Sequence, residues 1–400
     1  MKDVKGPRSA LTDFLKEEGI DINDKSLFNR KEHKINKTIK NIKKSNRSKL
    51  IKCNMPVEMV NLKKDNALEL LCIRKIMDNL YNLILNDFHL QKLSKYISEN
   101  RIMNQEYFDY LCRNSKQSVT IYDCSMITDF SALFGKNLLK LELHLCGQIN
   151  DEVINHILTC MDKIEVLRIT GGYLLNNFNL PATLRVLDLT HCSRIKNTII
   201  EKINKTYEHL DELRLSYCYN LDEKAYLSIT VDHLYICETK LTPDFYEHIK
   251  DLKSLSVKRC LNINSIKYFN KLEYLNASGI AELKELQLTE NIKSLNLSYC
   301  CNIRDFYYEN LQFLNLSYLN LTKSEIEALL KLKNLKYLNL SWNESLNDKL
   351  AYTLLKNLKL EKFVVFGCFS LTKESAQYIW DIKDEIEVIG HPCETEYHLQ

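Results

Sequence analysis

Leu138-Leu139-Lys140-Leu141-Glu142-Leu143-His144-Leu145-Cys146 holds a single apolar signature, L-x-x-L-x-L-x-x-C. The chain writes it repeatedly, at Leu184/Leu187/Leu189/Cys192, Leu210/Leu213/Leu215/Cys218, Leu252/Leu255/Val257/Cys260 and Ile292/Leu295/Leu297/Cys300. Looser copies sit at Val119/Ile121/Cys124, Ile164/Leu167/Ile169, Val231/Leu234/Ile236, Leu272/Leu275/Ala277, Leu311/Leu314/Leu316, Leu335/Leu338/Leu340 and Leu360/Phe363/Val365/Cys368. From Leu138 onward the copies start 19 to 26 residues apart, the period of a leucine-rich repeat. L-x-L alternation buries one face of a short strand and leaves the other outward. One such unit cannot cover its apolar face alone, so neighbours stack and share a core.

The expected fold is therefore an α/β solenoid, a cysteine-containing leucine-rich repeat horseshoe over residues 116–389, followed by a tail at 390–400. The residue three after the last leucine turns inward as the chain leaves the strand. A small side chain needing no hydrogen-bonding partner suits that place, and Cys is among the most readily buried types. Linkers between signatures often read as helices, as in Asp151–Leu158, apolar at Val153, Ile154, Ile157 and Leu158.

A hydrophobic share of 45% supports a substantial core, and the net charge of +3 hides an asymmetry. Residues 1–52 hold fifteen Lys/Arg against seven Asp/Glu, leaving 40 against 45 in the remainder. Seven of the fourteen cysteines (124, 146, 192, 218, 260, 300 and 368) occupy the same inward position. Stacked equivalent positions point into one core, so these read as reduced, buried thiols in an intracellular compartment. No secretory signal and no apolar run long enough for a membrane span is seen, so no membrane partner is expected.

Residues 1–24 open with Gly6-Pro7-Arg8-Ser9-Ala10-Leu11-Thr12-Asp13-Phe14-Leu15, where Ser9 can cap a short helix with Leu11, Phe14 and Leu15 on one face. This reads either as a docking peptide or as a helix folded back on the repeats. Residues 25–54 form a basic linker, with eleven Lys/Arg and one acid over 25–52, too poor in apolar groups to fold alone. Its lysines, with Lys43, Lys44 and Arg47, fit a nuclear import signal, a phosphate-binding arm for DNA, or a solvated linker.

Residues 55–115 turn helical. Leu68, Cys72, Ile76 and Leu80 recur every four residues and so stack into a narrow ridge with a thin waist at Cys72. A-L-x-x-x-C-x-x-x-I is similar to the box by which receptor proteins insert a helix into Elongin C, the adaptor that joins them to a cullin scaffold. The same spacing also suits an ordinary core helix. Met55-Pro56-Val57-Glu58-Met59-Val60 faintly resembles the opening of an F-box, which sits ahead of similar repeats in another class of ubiquitin-ligase receptor.

Taken in order, the opening motif, the L-x-L-L-C-I-x-x-I ridge and the cysteine-type repeats entered through Tyr122-Asp123-Cys124 resemble the Rad-seven family of fungal DNA-repair leucine-rich repeat proteins. The resemblance implies a role in global-genome nucleotide excision repair of ultraviolet damage, in the nucleus. It implies a Snf2-type ATPase with a RING finger as partner, and a place in a cullin ubiquitin ligase through Elongin C. Leu68, Cys72 and Ile76 would be the adaptor anchors, and Gly6, Pro7, Ser9, Leu11, Phe14 and Leu15 the N-terminal partner motif. Many members carry a zinc module with Cys-x-x-Cys pairs ahead of the adaptor helix, whereas here Cys53 stands alone.

No G-x-x-x-x-G-K-[ST], H-E-x-x-H or G-x-S-x-G occurs, so neither catalysis nor a cofactor or metal is expected. Outward strand positions are charged or polar in the first half (Glu142, His144, Arg168, Asp188, Arg214) and small and polar in the second (Asn276, Ser278, Asn296, Ser298, Asn315, Ser317, Asn339, Ser341). Just before the cysteine position, Tyr299, Tyr318 and Trp342 come from consecutive repeats. They are expected side by side, either as a partner surface or as a cover over neighbouring loops.

Overall fold

The computed structural model describes residues 73, 75–77 and 85–393, except 250, 305, 383 and 384. The chain divides into two units between Asp78 and Asn79, and the repeats lie in the second. Its strands are β1 (Ser118–Ile121), β2 (Lys140–Leu143), β3 (Val166–Ile169), β4 (Val186–Asp188), β5 (His209–Arg214), β6 (Thr230–Tyr235) and β7 (Ser254–Ser256). They continue with β8 (Ser265–Phe269), β9 (Tyr274–Asn276), β10 (Glu285–Leu288), β11 (Ser294–Asn296), β12 (Phe313–Asn315), β13 (Tyr337–Asn339), β14 (Lys362–Val364) and β15 (Glu387–Ile389). Thirteen of them form one parallel sheet in chain order, while β8 and β10 pair separately. This open sheet, extended one strand per repeat, is the leucine-rich repeat solenoid that the signature calls for.

Register follows the signature. The middle leucine of each copy faces its counterpart, so Val119 pairs with Leu141, Leu141 with Leu167 and Leu167 with Leu187. The same row runs on to Leu314, Leu338, Phe363 and Val388. Its side chains are buried from Val119 to Phe363. The thirteenth strand, β15, lies past the last copy that the pattern picks out. Gly390 and His391 complete its repeat rather than start a tail, for buried His391 meets Ser375 Oγ through Nε2 at 2.9 Å.

Linker length decides what crosses the back. Copies starting 24 to 26 residues apart carry helices: α3 (Asp151–Leu158), α4 (Asn197–Thr206), α5 (Lys323–Ala328) and α6 (Asp348–Asn357). A further helix, α7 (Lys373–Asp381), precedes β15. Copies 19 to 21 residues apart have no α-helix among the described residues, because too few residues remain after the strand and its exits for two helical turns. Two of these short linkers use β8 and β10 instead. Asparagine opens two of these helices, α3 and α6: Asn150 and Asn347 accept from the amides of Val153 and Leu350 at 2.9 and 3.0 Å, each meeting an otherwise orphan donor.

All seven signature cysteines are buried and reduced, yet they are not partner-free as the sequence implied. The thiols of Cys192, Cys218, Cys260, Cys300 and Cys368 donate to carbonyls of Ile169, Leu189, Ile236, Ala277 and Leu340, at 2.9 to 3.3 Å. Each acceptor belongs to the preceding repeat, at the point where the chain leaves its strand. Burial pushes the Cys300 thiol up to about 11 and that of Cys192 to about 12, so both stay protonated donors. Asn343 takes the position once, donating through Nδ2 to Leu316 O and Leu340 O, both at 3.0 Å.

The N-terminal end of the sheet is closed by α1 (Asp87–Glu99) and α2 (Gln105–Asn114). Leu90, Leu93, Ile97, Phe108 and Leu111 are buried, and these two helices belong to the repeat unit rather than to the segment before Asp78. Asp87 caps the first strand, its carboxylate accepting from the amides of Lys116, Gln117 and Ser118 at 2.8 to 2.9 Å. Partial burial opposes its charge, but these bonds win and hold its pKa below the ordinary value. Its stabilisation is therefore present above the unfolded carboxyl's range, near pH 4, and lost as pH falls through the lower folded value. Asp87→Ala is expected to lose about 1–2 kcal/mol at neutral pH. Urea melts at pH 7 and pH 3 check this, since the gap between variant and parent should narrow at pH 3.

Candidate recognition surface

The outward face of the sheet has two halves of different chemistry. In the first, in-register neighbours alternate in charge: Thr120, Glu142, Arg168, Asp188 and Arg214 stand in one lateral row. Arg168 reaches Glu142 at 3.0 Å, Asp188 at 3.4 Å and, diagonally, Glu212 at 2.7 Å. Lys140 and Thr120 both lie 2.9 Å from Glu142, and Arg214 pairs with Glu212 while covering the Tyr235 ring at 4.0 Å. Glu142 and Asp188 are only 9% and 5% exposed. These side chains point away from the leucine core as expected, but they are a closed network rather than a free charged surface. Burial raises the carboxyl pKa of Glu212, but the guanidiniums of Arg168 and Arg214 overcome it and hold the group low.

In the second half, Asn276, Asn296, Asn315 and Asn339 end their strands and accept from the amides of Ser278, Ser298, Ser317 and Ser341 at 2.9 to 3.2 Å. These four serines are buried. The Asn-x-Ser pattern is therefore turn chemistry. Asp188 does the same for Thr190.

From Leu145 onward the residue just before the inward position takes a left-handed backbone in each repeat, which the signature alone does not reveal. Leu145, His191, Tyr217, Arg259, Tyr299, Tyr318 and Trp342 have φ of 52 to 63°, and Gly171, Gly279, Gly367 and Gly390 fill the same place elsewhere. A bulky residue pays about 1–2 kcal/mol there. The turn persists because its amide bonds the next strand's exit, as Tyr299 to Ser317 O and Trp342 to Phe366 O at 3.0 and 2.7 Å. The signal was available: glycines alternate with large residues one place before the inward position.

Tyr299, Tyr318 and Trp342 are brought together. Tyr299 and Tyr318 stack with centroids 4.1 Å apart, and Tyr318 and Trp342 at 5.2 Å. The far face of Trp342 lies on Gly367, where a Cβ would fall 2.4 Å from the indole. Tyr299 and Trp342 remain 49% and 41% exposed, so the row both covers backbone and presents its edges. Of the adaptor anchors, Ile76 lies in helical backbone and is half-buried. Leu68, Cys72 and the motif of Gly6, Pro7, Ser9, Leu11, Phe14 and Leu15 lie outside the described residues, as does the basic linker.

This sheet and its buried thiol-to-carbonyl bonds define a cysteine-type leucine-rich repeat protein. No family model matches the chain. The DNA repair protein rhp7 of Schizosaccharomyces pombe is 28% identical over 170 residues, 39% of this chain and 30% of that protein. The DNA repair protein RAD7 of Saccharomyces cerevisiae is 27% identical over 137 residues, 28% of this chain and 24% of that protein. The matches thus span less than a third of the length of these curated relatives. Among solved structures, that of the yeast Rad7 and Elc1 complex is 18% identical with a TM-score of 0.40, covering 87% of this chain and 99% of that one. The functional domain of InlJ from Listeria monocytogenes, which includes a cysteine ladder, is 15% identical with a TM-score of 0.35, covering 66% of this chain and 71% of that one. In sequence, then, the chain is similar over part of its length to two curated DNA repair proteins, rhp7 and RAD7.

Proposed function

We propose that this chain is a non-catalytic recognition subunit in nucleotide excision repair of ultraviolet-damaged DNA, working in the nucleus. In this reading it acts with a Snf2-type ATPase that carries a RING finger, and serves as substrate receptor of a cullin–Elongin C ubiquitin ligase. The observation that carries the proposal is kinship with two DNA repair proteins, in a chain whose described part is an open repeat surface. The Leu68/Cys72/Ile76 ridge supplies the adaptor contact, a bulky anchor above a thin waist suiting a deep slot. The basic linker at 25–54 supplies a nuclear import signal or a DNA arm.

Capture of the full chain by purified Elongin C, beside the F-box adaptor, tests the ligase part. Replacing Leu68 and Cys72 with Gln is expected to reduce Elongin C capture at least about tenfold. The melting of the repeats should stay unchanged, because stacked repeats contact mainly their neighbours. Capture by the F-box adaptor instead, or a double variant that loses its cooperative melt, would overturn the assignment.

A further inference from the structure

On the outward face between β7 and β11 the sheet carries a hollow of about 670 Å³ whose lining includes Lys258, Arg259, Asn276, Ser278, Asn296 and Tyr299. Its floor is low because the side chains there are Ser and Asn, and because Gly279 stands in the left-handed row between Arg259 and Tyr299. A Cβ on Gly279 would fall 2.7 Å from Arg259 Cγ, so glycine lets that arginine lie along the rim and reach Glu238 at 3.3 Å.

The charges around the hollow are unusual for this surface. Lysines and arginines on or just before the sheet's strands are paired: Lys140, Arg168, Arg214, Lys253, Lys293 and Lys336 each lie within 4.0 Å of a carboxylate. Lys258 is half-buried and, among the described residues, has no such partner. Opposite it begins the Tyr299–Tyr318–Trp342 stack, whose rings lie face to face while Tyr299 and Trp342 stay exposed. Ring edges carry partial positive charge, and tyrosine hydroxyls can donate. An unpaired ammonium, hydroxyl donors and ring edges therefore all favour one kind of occupant, an anionic group with an apolar neighbour.

We propose that this hollow receives an extended segment of a partner protein bearing an acidic residue next to an aromatic or aliphatic one. The carboxylate sits on Lys258, and the apolar side chain lies against the Tyr299 end of the stack. A nucleic acid strand fits less well. It needs several cations to neutralise phosphates and open ring faces on which bases stack, and the rings within this row already cover one another. The proposal rests on the reading of the chain as a recognition subunit and gives that subunit its ligand class.

The test uses the purified full chain and fluorescence anisotropy with a short labelled peptide of alternating Asp and Phe. Its Asn-for-Asp counterpart and a labelled single-stranded oligodeoxynucleotide serve as competing probes. The acidic peptide should bind about tenfold tighter than the neutral one, the scale of one charge-assisted hydrogen bond. Lys258→Glu should abolish that preference, Lys258→Gln should reduce it, and Tyr299→Ser should weaken both peptides. Elongin C capture by Lys258→Glu should be unchanged, so this surface and the adaptor ridge fail or succeed separately. Equal binding of the two peptides, no binding of the acidic one, or indifference to Lys258→Gln in a normally melting protein would overturn the proposal. So would tighter binding of the oligodeoxynucleotide at the same residues.

Discussion

Arg168→Met is expected to destabilise the solenoid by about 3–5 kcal/mol, the usual cost of removing one partner from a buried charge network. Arg168 is the shared cation of three carboxylates borne by three different strands, Glu142, Asp188 and Glu212. Without it, Asp188 and Glu142 keep their burial, and Glu212 retains only Arg214. Methionine matches the arginine stem in volume but offers no donor, so the loss reports charge rather than packing. The deficit should shrink at acid pH, because Glu212, held low by Arg168 in the parent, contributes above the unfolded carboxyl range and loses that contribution as pH falls through its lower folded value. Denaturant melts at pH 7 and pH 3 measure both. A loss under about 1 kcal/mol, typical of an exposed pair, would mean that water reaches the row and that the network is superficial.

Asn343→Leu should cost about 3–5 kcal/mol, and Asn343→Cys distinctly less. The Asn343 side chain is fully buried and does two jobs. Nδ2 donates to Leu316 O and Leu340 O at 3.0 Å, and Oδ1 accepts from the Leu321 amide at 3.0 Å. Leucine fills the space and leaves Leu316 O and the Leu321 amide unmet, at about 1–3 kcal/mol each, while Leu340 O keeps the Cys368 thiol. A thiol can still serve Leu316 O, because Cys368, one repeat on, makes the equivalent bond to Leu340 O at 3.2 Å. Only the Leu321 amide is then abandoned. The expected order of melting temperature is Asn above Cys above Leu. If Leu equals Cys, the bonds from this position to the preceding repeat are not what selects the residue.

The same demand for a donor fits the Cys, Asn or Thr found at most inward positions, while Gly172, Ile280 and Leu319 take the others. Composition alone counts Cys192 or Cys300 as a small buried hydrophobe; the thiol's acceptor comes from more than twenty residues earlier in the chain. Thr239 closes the same gap within its own repeat, donating to Ile236 O at 2.8 Å. The aromatic row was legible in another way. Spacing alone put Tyr299, Tyr318 and Trp342 beside one another, but it could not tell that Gly367 is small so that Trp342 can lie on it. Lys258 was not legible at all, since being unpaired depends on what its neighbours in other strands do.

The sequence by itself determined which residues make the strands, which face of each strand is buried, and how the middle leucines align. All three depend on burial of alternate residues within a few positions, and every copy of the signature states them again. Linker length likewise settled where a helix could cross the back. Only the tertiary structure decided that Glu142, Arg168, Asp188 and Glu212 neutralise one another, and that the thiols donate. It alone placed the residue before the inward position in a left-handed turn from Leu145 onward, and made α1 and α2 the cap on β1. Each of these joins groups roughly twenty or more residues apart that stacking brings to about 5 Å. No local pattern carries that information, because a side chain's partner is chosen by the repeat that lands beside it.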